Sequence, residues 1–511
     1  MRTKPIIPLD QLDQSTTPLV DALQLCATRT NAPFHTPGHK RGQGISSRQK
    51  ALFGLDAFRA DLPELPELDN LFAPEGAIAA AQALAAQAFG AERTWFLANG
   101  STCGIEAAVL ATCGPGDKII LPRNVHSSAI SGLILSGAVP VYIHPGYSST
   151  WDIAIGVKPS AIEVALAQHP DAKAVLLVSP TYYGICSDLA AIAHLTHTHN
   201  IPLLVDEAHG PHFTFHPDLP PAALSAGADI AIQSTHKVLS AFTQAAMLHM
   251  RGDRVDRDRL SQCLQLTQST SPSYLLLASL DAARQQMATA GFSLMGRTLA
   301  LADRAAQALS ELPGLRVLQP NIREGGRGKR GDRTRLTVDV SGLGLTGFQA
   351  DEILHTQCGV TAELPDLHHI MFIISLGNTA DDIAQLIEGF HQLCALYSAK
   401  AGREFRTARM AIQPELSVKK DRTEPRPSQS PRQVFFARKK PIATAQSLGH
   451  ICAETICPYP PGIPILFPGE PITAAALTYL QTVQKAGGVI TGCQDPNLKT
   501  ILIAADEPTP P

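Results

Sequence analysis

Leu203-Leu204-Val205-Asp206-Glu207-Ala208-His209 and, further on, Ala228-Asp229-Ile230-Ala231-Ile232-Gln233-Ser234-Thr235-His236-Lys237 both begin as short aliphatic runs and end in chemically capable side chains. Apolar runs of this length, closed by polar residues, read as strands buried on both faces, as in a parallel sheet covered by helices. Working outward, residues 94–97, 118–121, 139–143 and 174–178 read as further strands beside 201–205 and 229–232. Residues 105–112, 127–135, 160–168 and 189–198 read as the crossover helices between them. This alternation predicts an α/β large domain with a mainly parallel sheet over residues 91–291.

The flanking regions are of a different kind. Residues 1–90 precede the large domain, and 292–400 read as a smaller α+β domain, with strands at 336–340 and 369–374 and helices at 347–354 and 379–393. Glu324-Gly325-Gly326-Arg327-Gly328-Lys329-Arg330-Gly331-Asp332-Arg333, within the stretch 323–335, interrupts it. Its glycines and charges favour a mobile surface loop over a phosphate-binding element. Residues 401–432, whose 419–432 part mixes charge with proline and serine, are expected to be a linker or exposed loop ahead of a C-terminal region at 433–511.

The chain has 511 residues with 44% hydrophobic content, enough to bury a large core and more than one ordinary domain. Its formal charge of −3 gives no global attraction to nucleic acid or to an acidic membrane surface. No apolar run approaches the roughly 20 residues of a membrane span, and the N-terminus lacks a cleavable apolar leader, so a cytoplasmic protein is expected. Ten cysteines fall outside any C-x-x-C or zinc-type spacing, so reduced thiols and no metal are expected.

A carboxylate ending one buried strand and a lysine just past another match the needs of pyridoxal phosphate (PLP). That cofactor takes an acid partner at its ring nitrogen and an amine at its aldehyde. Asp206 and Lys237 fill those roles. Asn99-Gly100-Ser101-Thr102-Cys103-Gly104, between a strand and a helix, offers unpaired helix N–H groups and the Ser101 and Thr102 hydroxyls to a phosphate. His126 lies beyond a strand end, where ligands sit on parallel sheets. His209, three residues after Asp206, either bonds the cofactor or the Asp206 carboxylate, or only closes its loop.

Phe34-His35-Thr36-Pro37-Gly38-His39-Lys40-Arg41-Gly42, Asn99-Gly100-Ser101-Thr102, Arg123-Asn124-Val125-His126, Ser234-Thr235-His236-Lys237 and Pro460-Pro461-Gly462-Ile463-Pro464 occur in this order across most of the chain. Together they resemble the bacterial ornithine/lysine/arginine decarboxylase family, in a shorter form without the N-terminal wing domain of larger relatives. The resemblance implies a fold-type I, aspartate-aminotransferase-like architecture. It also implies that His126 stacks on the cofactor ring and that Ser234 and His236 join the phosphate cradle. A homodimer is implied as well, whose shared active sites draw on the Thr36–Lys40 segment and on Thr270-Ser271-Pro272-Ser273-Tyr274. Thr181 is a weaker candidate for contact with the cofactor's phenolic oxygen.

The expected reaction is decarboxylation of a basic L-amino acid, with arginine ahead of lysine and ornithine because the compact form resembles the shorter arginine-acting branch. Lys237 and His236 are both candidates to protonate Cα afterwards. Glu363 and Asp366, in a segment that is also acidic in relatives, are candidates for the substrate's distal cation, with an exposed loop the plainer reading of both. An aminotransferase or retro-aldol enzyme of the same fold, and a non-catalytic regulator, are the alternatives. The first lacks a clear carboxylate-clamping arginine motif, and the second has no need of both Asp206 and Lys237.

Overall fold

The computed structural model describes residues 12–319, 331–397, 429–459 and 462–505. Most of the glycine-rich stretch, most of the expected linker and Pro460-Pro461 lie outside the described residues. The chain divides into two compact units, residues 1–112 with 189–296, and 113–188 with 297–511.

In the first unit the strands are ordered Arg93–Leu97, Ala246–Met250, Ile230–Gln233, Leu203–Asp206. Leu203–Asp206 and Ile230–Gln233 run parallel, with Asp206 opposite Ile232. Ala246–Met250 is antiparallel to Ile230–Gln233 and to Arg93–Leu97, so the other three strands share one direction and their carboxyl ends share one edge. Those ends lead into Asp206–His209, Ser234–Lys237 and Asn99–Thr102, which is how distant segments meet. Helix Gly100–Thr112 lies close on this sheet: a Cβ at Gly104 would come within 2.7 Å of Leu97 and 2.9 Å of Ile232. Only glycine permits that approach. A buried Arg284–Asp281 pair ties down the start of the described chain, since Arg284 donates to the carbonyls of Gln14 (2.8 Å) and Thr16 (2.7 Å) while Asp281 accepts from Leu19 N–H (2.9 Å).

In the second unit Lys118–Pro122 pairs in parallel with both Val139–Ile143 and Ala174–Val178. An antiparallel sheet follows, ordered Arg316–Val317, Arg335–Asp339, His369–Ile373, Leu364–Pro365. Helices Gly347–Cys358 and Ala380–Tyr397 pack on it through Leu354, Phe390 and Leu393 against Val338, Ile370 and Phe372. The first helix starts at a Thr346/Gln349 capping box and stops at Gly359, whose φ of 65° is left-handed. The C-terminal region pairs Lys439–Ala443 with Thr500–Ala504 and Cys457–Tyr459 with Val489–Thr491. Helix Ala474–Lys485 closes its core of Cys452, Ile456, Leu480, Ile490 and Ile503.

All ten cysteines are free thiols. Among the described residues no helix is long and apolar enough to cross a membrane, and no His/Cys/Asp/Glu group is arranged to hold a metal.

Candidate active site

The first unit assembles an amine, an acid and a pair of hydroxyls along its strand-end edge. Lys237 closes the single 3-10 turn Thr235–Lys237 directly after strand Ile230–Gln233. Its Nζ lies 3.0 Å from His209 Nε2. An ammonium only donates, so this contact places the His209 lone pair on Nε2 and its proton on Nδ1. Asp206, 8% exposed, ends strand Leu203–Asp206, and its Oδ1 accepts from Ala208 N–H at 3.1 Å, which holds the loop carrying His209. Ser234 Oγ bonds Ser101 Oγ at 2.8 Å, joining the lysine turn to the first turn of helix Gly100–Thr112. Thr102 is exposed on that same turn. His236 bonds Ala245 O through Nδ1 at 3.1 Å, which turns one ring nitrogen toward the backbone and fixes the tautomer.

Beneath this edge runs a chain of buried polar side chains that sequence reading did not single out. Glu207, 1% exposed, takes Ala223 N–H (2.7 Å) and Gln233 Nε2 (2.8 Å). Gln233 Oε1 lies 3.0 Å from His249 Nε2, and His249 Nδ1 lies 2.8 Å from Thr94 Oγ1. The network runs from just past the end of Leu203–Asp206 across the other three strands, and Glu207 and Gln233 directly adjoin Asp206 and Ser234. Burial pushes the Glu207 carboxyl up to about 8 and the His249 imidazole down to about 3.

His126, Thr181, Glu363 and Asp366 belong to the second unit. His126 is the N-cap of helix Ser127–Ser136, its Nδ1 accepting from Ser128 N–H at 3.2 Å. Thr181 is buried, and its hydroxyl accepts from Ile185 N–H at 3.2 Å. Glu363 is exposed. Asp366 is different: Oδ1 accepts from the N–H groups of His368 and His369 (both 2.7 Å), and Oδ2 accepts from Tyr183 Oη (2.7 Å). The His369 ring lies 3.1 Å from both oxygens. Burial alone would raise this carboxyl, but the charge and hydrogen bond of His369, with the other donors, hold it well below the usual carboxylate range. So many donors leave little room for a guanidinium, and Asp366 reads as the anchor of its own turn. We expect Asp366→Ala to cost about 2 kcal/mol by orphaning Tyr183 Oη and two backbone N–H groups, measured by denaturant unfolding. A loss below about 0.5 kcal/mol would show that these bonds are made equally well to water.

The residues in hand fit PLP: Lys237 could take the aldehyde, Asp206 the ring nitrogen, and the Ser101–Ser234 pair beside a helix N-terminus the phosphate. An α/β sheet that delivers an acid and an amine to one edge is the architecture of the fold-type I PLP enzymes, and this is the class to which the fold belongs. The family described as Orn/Lys/Arg decarboxylase, major domain, matches residues 17–327, and the C-terminal domain of that family matches 411–495. An arginine decarboxylase of Bacillus subtilis (strain 168) is 38% identical over 496 residues, covering 97% of this chain and 99% of its own. A lysine decarboxylase of Pseudomonas aeruginosa is 26% identical over 580 residues, covering 92% and 76%. The crystal structure of a Francisella novicida lysine decarboxylase superposes with a TM-score of 0.82 at 24% identity, covering 96% of this chain and 81% of that one, which shows the common fold. The chain belongs to the Orn/Lys/Arg decarboxylase family and is an amino-acid decarboxylase.

Proposed function

We propose that this chain uses PLP to convert L-arginine to agmatine and carbon dioxide. The observation that carries the chemistry is the 3.0 Å contact of Lys237 Nζ with His209 Nε2, on the loop that begins at Asp206. The choice of arginine rests on the relative named arginine decarboxylase, which is 38% identical against 26% for one named lysine decarboxylase.

When bound, PLP supplies an electron sink for the pair left at Cα as the carboxylate departs. Asp206 keeps a proton at the ring nitrogen, so that the sink is deep. Ser101, Thr102 and Ser234 would hold the phosphate by hydroxyl and helix N–H donors, and the family resemblance makes His126 and Thr181 the candidates for the ring face and its phenolic oxygen. Lys237 would hold the aldehyde and, once substrate takes its place there, would remain at the site with its amine held by His209. We therefore assign the returning proton to Lys237, with His236 fixing the turn through Ala245. Glu363 is the better candidate for the guanidinium, since it is exposed where Asp366 is saturated, and a bidentate pair there favours a planar fork over an ammonium.

Helix Ser47–Ala60 buries none of its residues within the chain, and Phe34 and Leu52 are 95% and 76% exposed. This supports a homodimer in which the N-terminal segment is covered by a second copy.

The test is product release from L-arginine, L-lysine and L-ornithine by the purified protein with added PLP. Agmatine with stoichiometric carbon dioxide is expected. Cadaverine or putrescine in its place would reassign the substrate, and no carbon dioxide from any of the three would sink the reading.

A further inference from the structure

The C-terminal region reaches both ends of one short segment of the same unit. Arg123-Asn124-Val125-His126 follows strand Lys118–Pro122 and runs into helix Ser127–Ser136. At its start, both terminal nitrogens of Arg123 meet the two carboxylate oxygens of Glu470, the second pair at 2.9 Å. Glu470 is 5% exposed, and its own backbone is held by Cys452 N–H, which donates to its carbonyl at 2.8 Å. The guanidinium also lies over the rings of Phe467 (4.6 Å) and Tyr142 (5.4 Å). A bidentate pair of this kind fixes orientation as well as position.

At the other end of the segment, the His126 ring is held on one edge and has Gly462 near the other. Nδ1 is used locally, by Ser128 N–H and by Ser128 Oγ at 3.0 Å. The opposite edge faces Gly462: a Cβ on that residue would lie 3.6 Å from Nε2 and 3.8 Å from Cδ2. Gly462 has a φ of 81°, a left-handed conformation in which its N–H donates to Pro458 O at 3.1 Å. A residue with a side chain is strained there, so the chain passes near the imidazole edge as glycine.

We infer that the C-terminal region is a positioning element for His126, with Gly462 beside the imidazole and the Arg123–Glu470 pair fixing the segment that carries it. This rests on the reading of His126 as a cofactor-facing residue. Gly462, Glu470 and Arg123 are positioning residues, acting on the cofactor through one imidazole. The proline- and glycine-rich motif then has a role beyond that of a rigid turn: its glycine lets the chain pass the ring.

The test is a double-mutant cycle read on PLP itself. Dissociation constants and the visible circular dichroism of bound PLP are measured for the parent, Gly462→Ala, Glu470→Gln, His126→Ala, and each of the first two combined with His126→Ala. Gly462→Ala and Glu470→Gln are each expected to weaken PLP binding by on the order of tenfold and to shrink the dichroic band. In the His126→Ala background neither should add a further loss, because the effect passes through that ring. Losses that simply add would overturn the inference, as would singles that bind PLP with an unchanged band. Should Glu470→Gln fail to fold, Arg123→Lys serves in its place, keeping the charge while breaking the fork. A parent with no visible cofactor band would overturn both this inference and the function on which it rests; a normal parent band with additive losses would overturn this inference alone.

Discussion

Lys237→Ala is expected to lower kcat on the decarboxylated substrate by on the order of 10⁴-fold or more and to erase the absorbance band of protein-bound PLP, while leaving the unfolding midpoint nearly unchanged. The proposed function gives the side chain two roles. Its amine would anchor the aldehyde, and the same amine, held by His209 at 3.0 Å, would return a proton to Cα. His236 has its Nδ1 bonded to Ala245 O, so the proposal gives it the turn rather than the proton. The fold is indifferent to the change for a local reason. The turn is made by backbone bonds, Lys237 N–H to Ser234 O at 3.1 Å and Leu239 N–H to Thr235 O at 2.9 Å, and alanine keeps both. The side chain is half-buried and leaves no large cavity. Single-turnover kinetics and the absorbance spectrum, taken together, check this. A variant that keeps its absorbance band and loses less than about tenfold in rate would remove Lys237 from the centre of the site.

The elements that frame this site were legible where one force dominates. Leu203–Asp206 and Ile230–Gln233 are buried at every position, so an unbroken aliphatic run marks them without ambiguity. The antiparallel strand Ala246–Met250 is equally buried but reads Ala-Met-Leu-His-Met, with no β-branched residue, and its strand character comes from its two neighbours. Asp366 shows the converse difficulty. An acid in a polar loop looks solvated, and what engages it is Tyr183 from far along the chain and backbone N–H groups that no sequence displays. Gly462 against His126 is of the same kind: the motif is visible as a turn, while its partner is set by tertiary packing. One signal was present and unread, namely that Gln233 and His249 each place a polar side chain in an otherwise apolar strand. Buried polar groups in such positions need partners, and here they find each other.

Those partners shape the second large effect, a stability profile set by Glu207 and His249. A carboxyl raised by burial from 4.5 to about 8 is protonated in the folded chain while the unfolded chain is already ionised. Its contribution is therefore complete below pH 4.5 and is lost as pH rises through 8, a total on the order of 5 kcal/mol. His249 works in the opposite sense. Burial lowers it from 6.5 to about 3, so its contribution is present above pH 6.5 and is lost as pH falls through 3. Between 4.5 and 6.5 the two slopes cancel, which predicts a plateau with a fall on either side. The link through Gln233 gives the chain two consistent polarities. With Glu207 ionised, Gln233 donates to it and accepts from His249 Nε2, whose Nδ1 accepts from Thr94. With Glu207 protonated, the Gln233 amide turns over, accepts from the carboxyl and donates to His249, and the imidazole proton moves to Nδ1. Glu207→Gln imitates the second polarity at every pH, since its amide donates where the protonated carboxyl would. Denaturant unfolding from pH 4 to 9 is expected to show that this variant keeps the acid fall and loses most of the alkaline one. An alkaline fall as steep in Glu207→Gln as in the parent would place its origin in other groups, and would leave this chain as packing beneath the edge that carries Asp206 and Lys237.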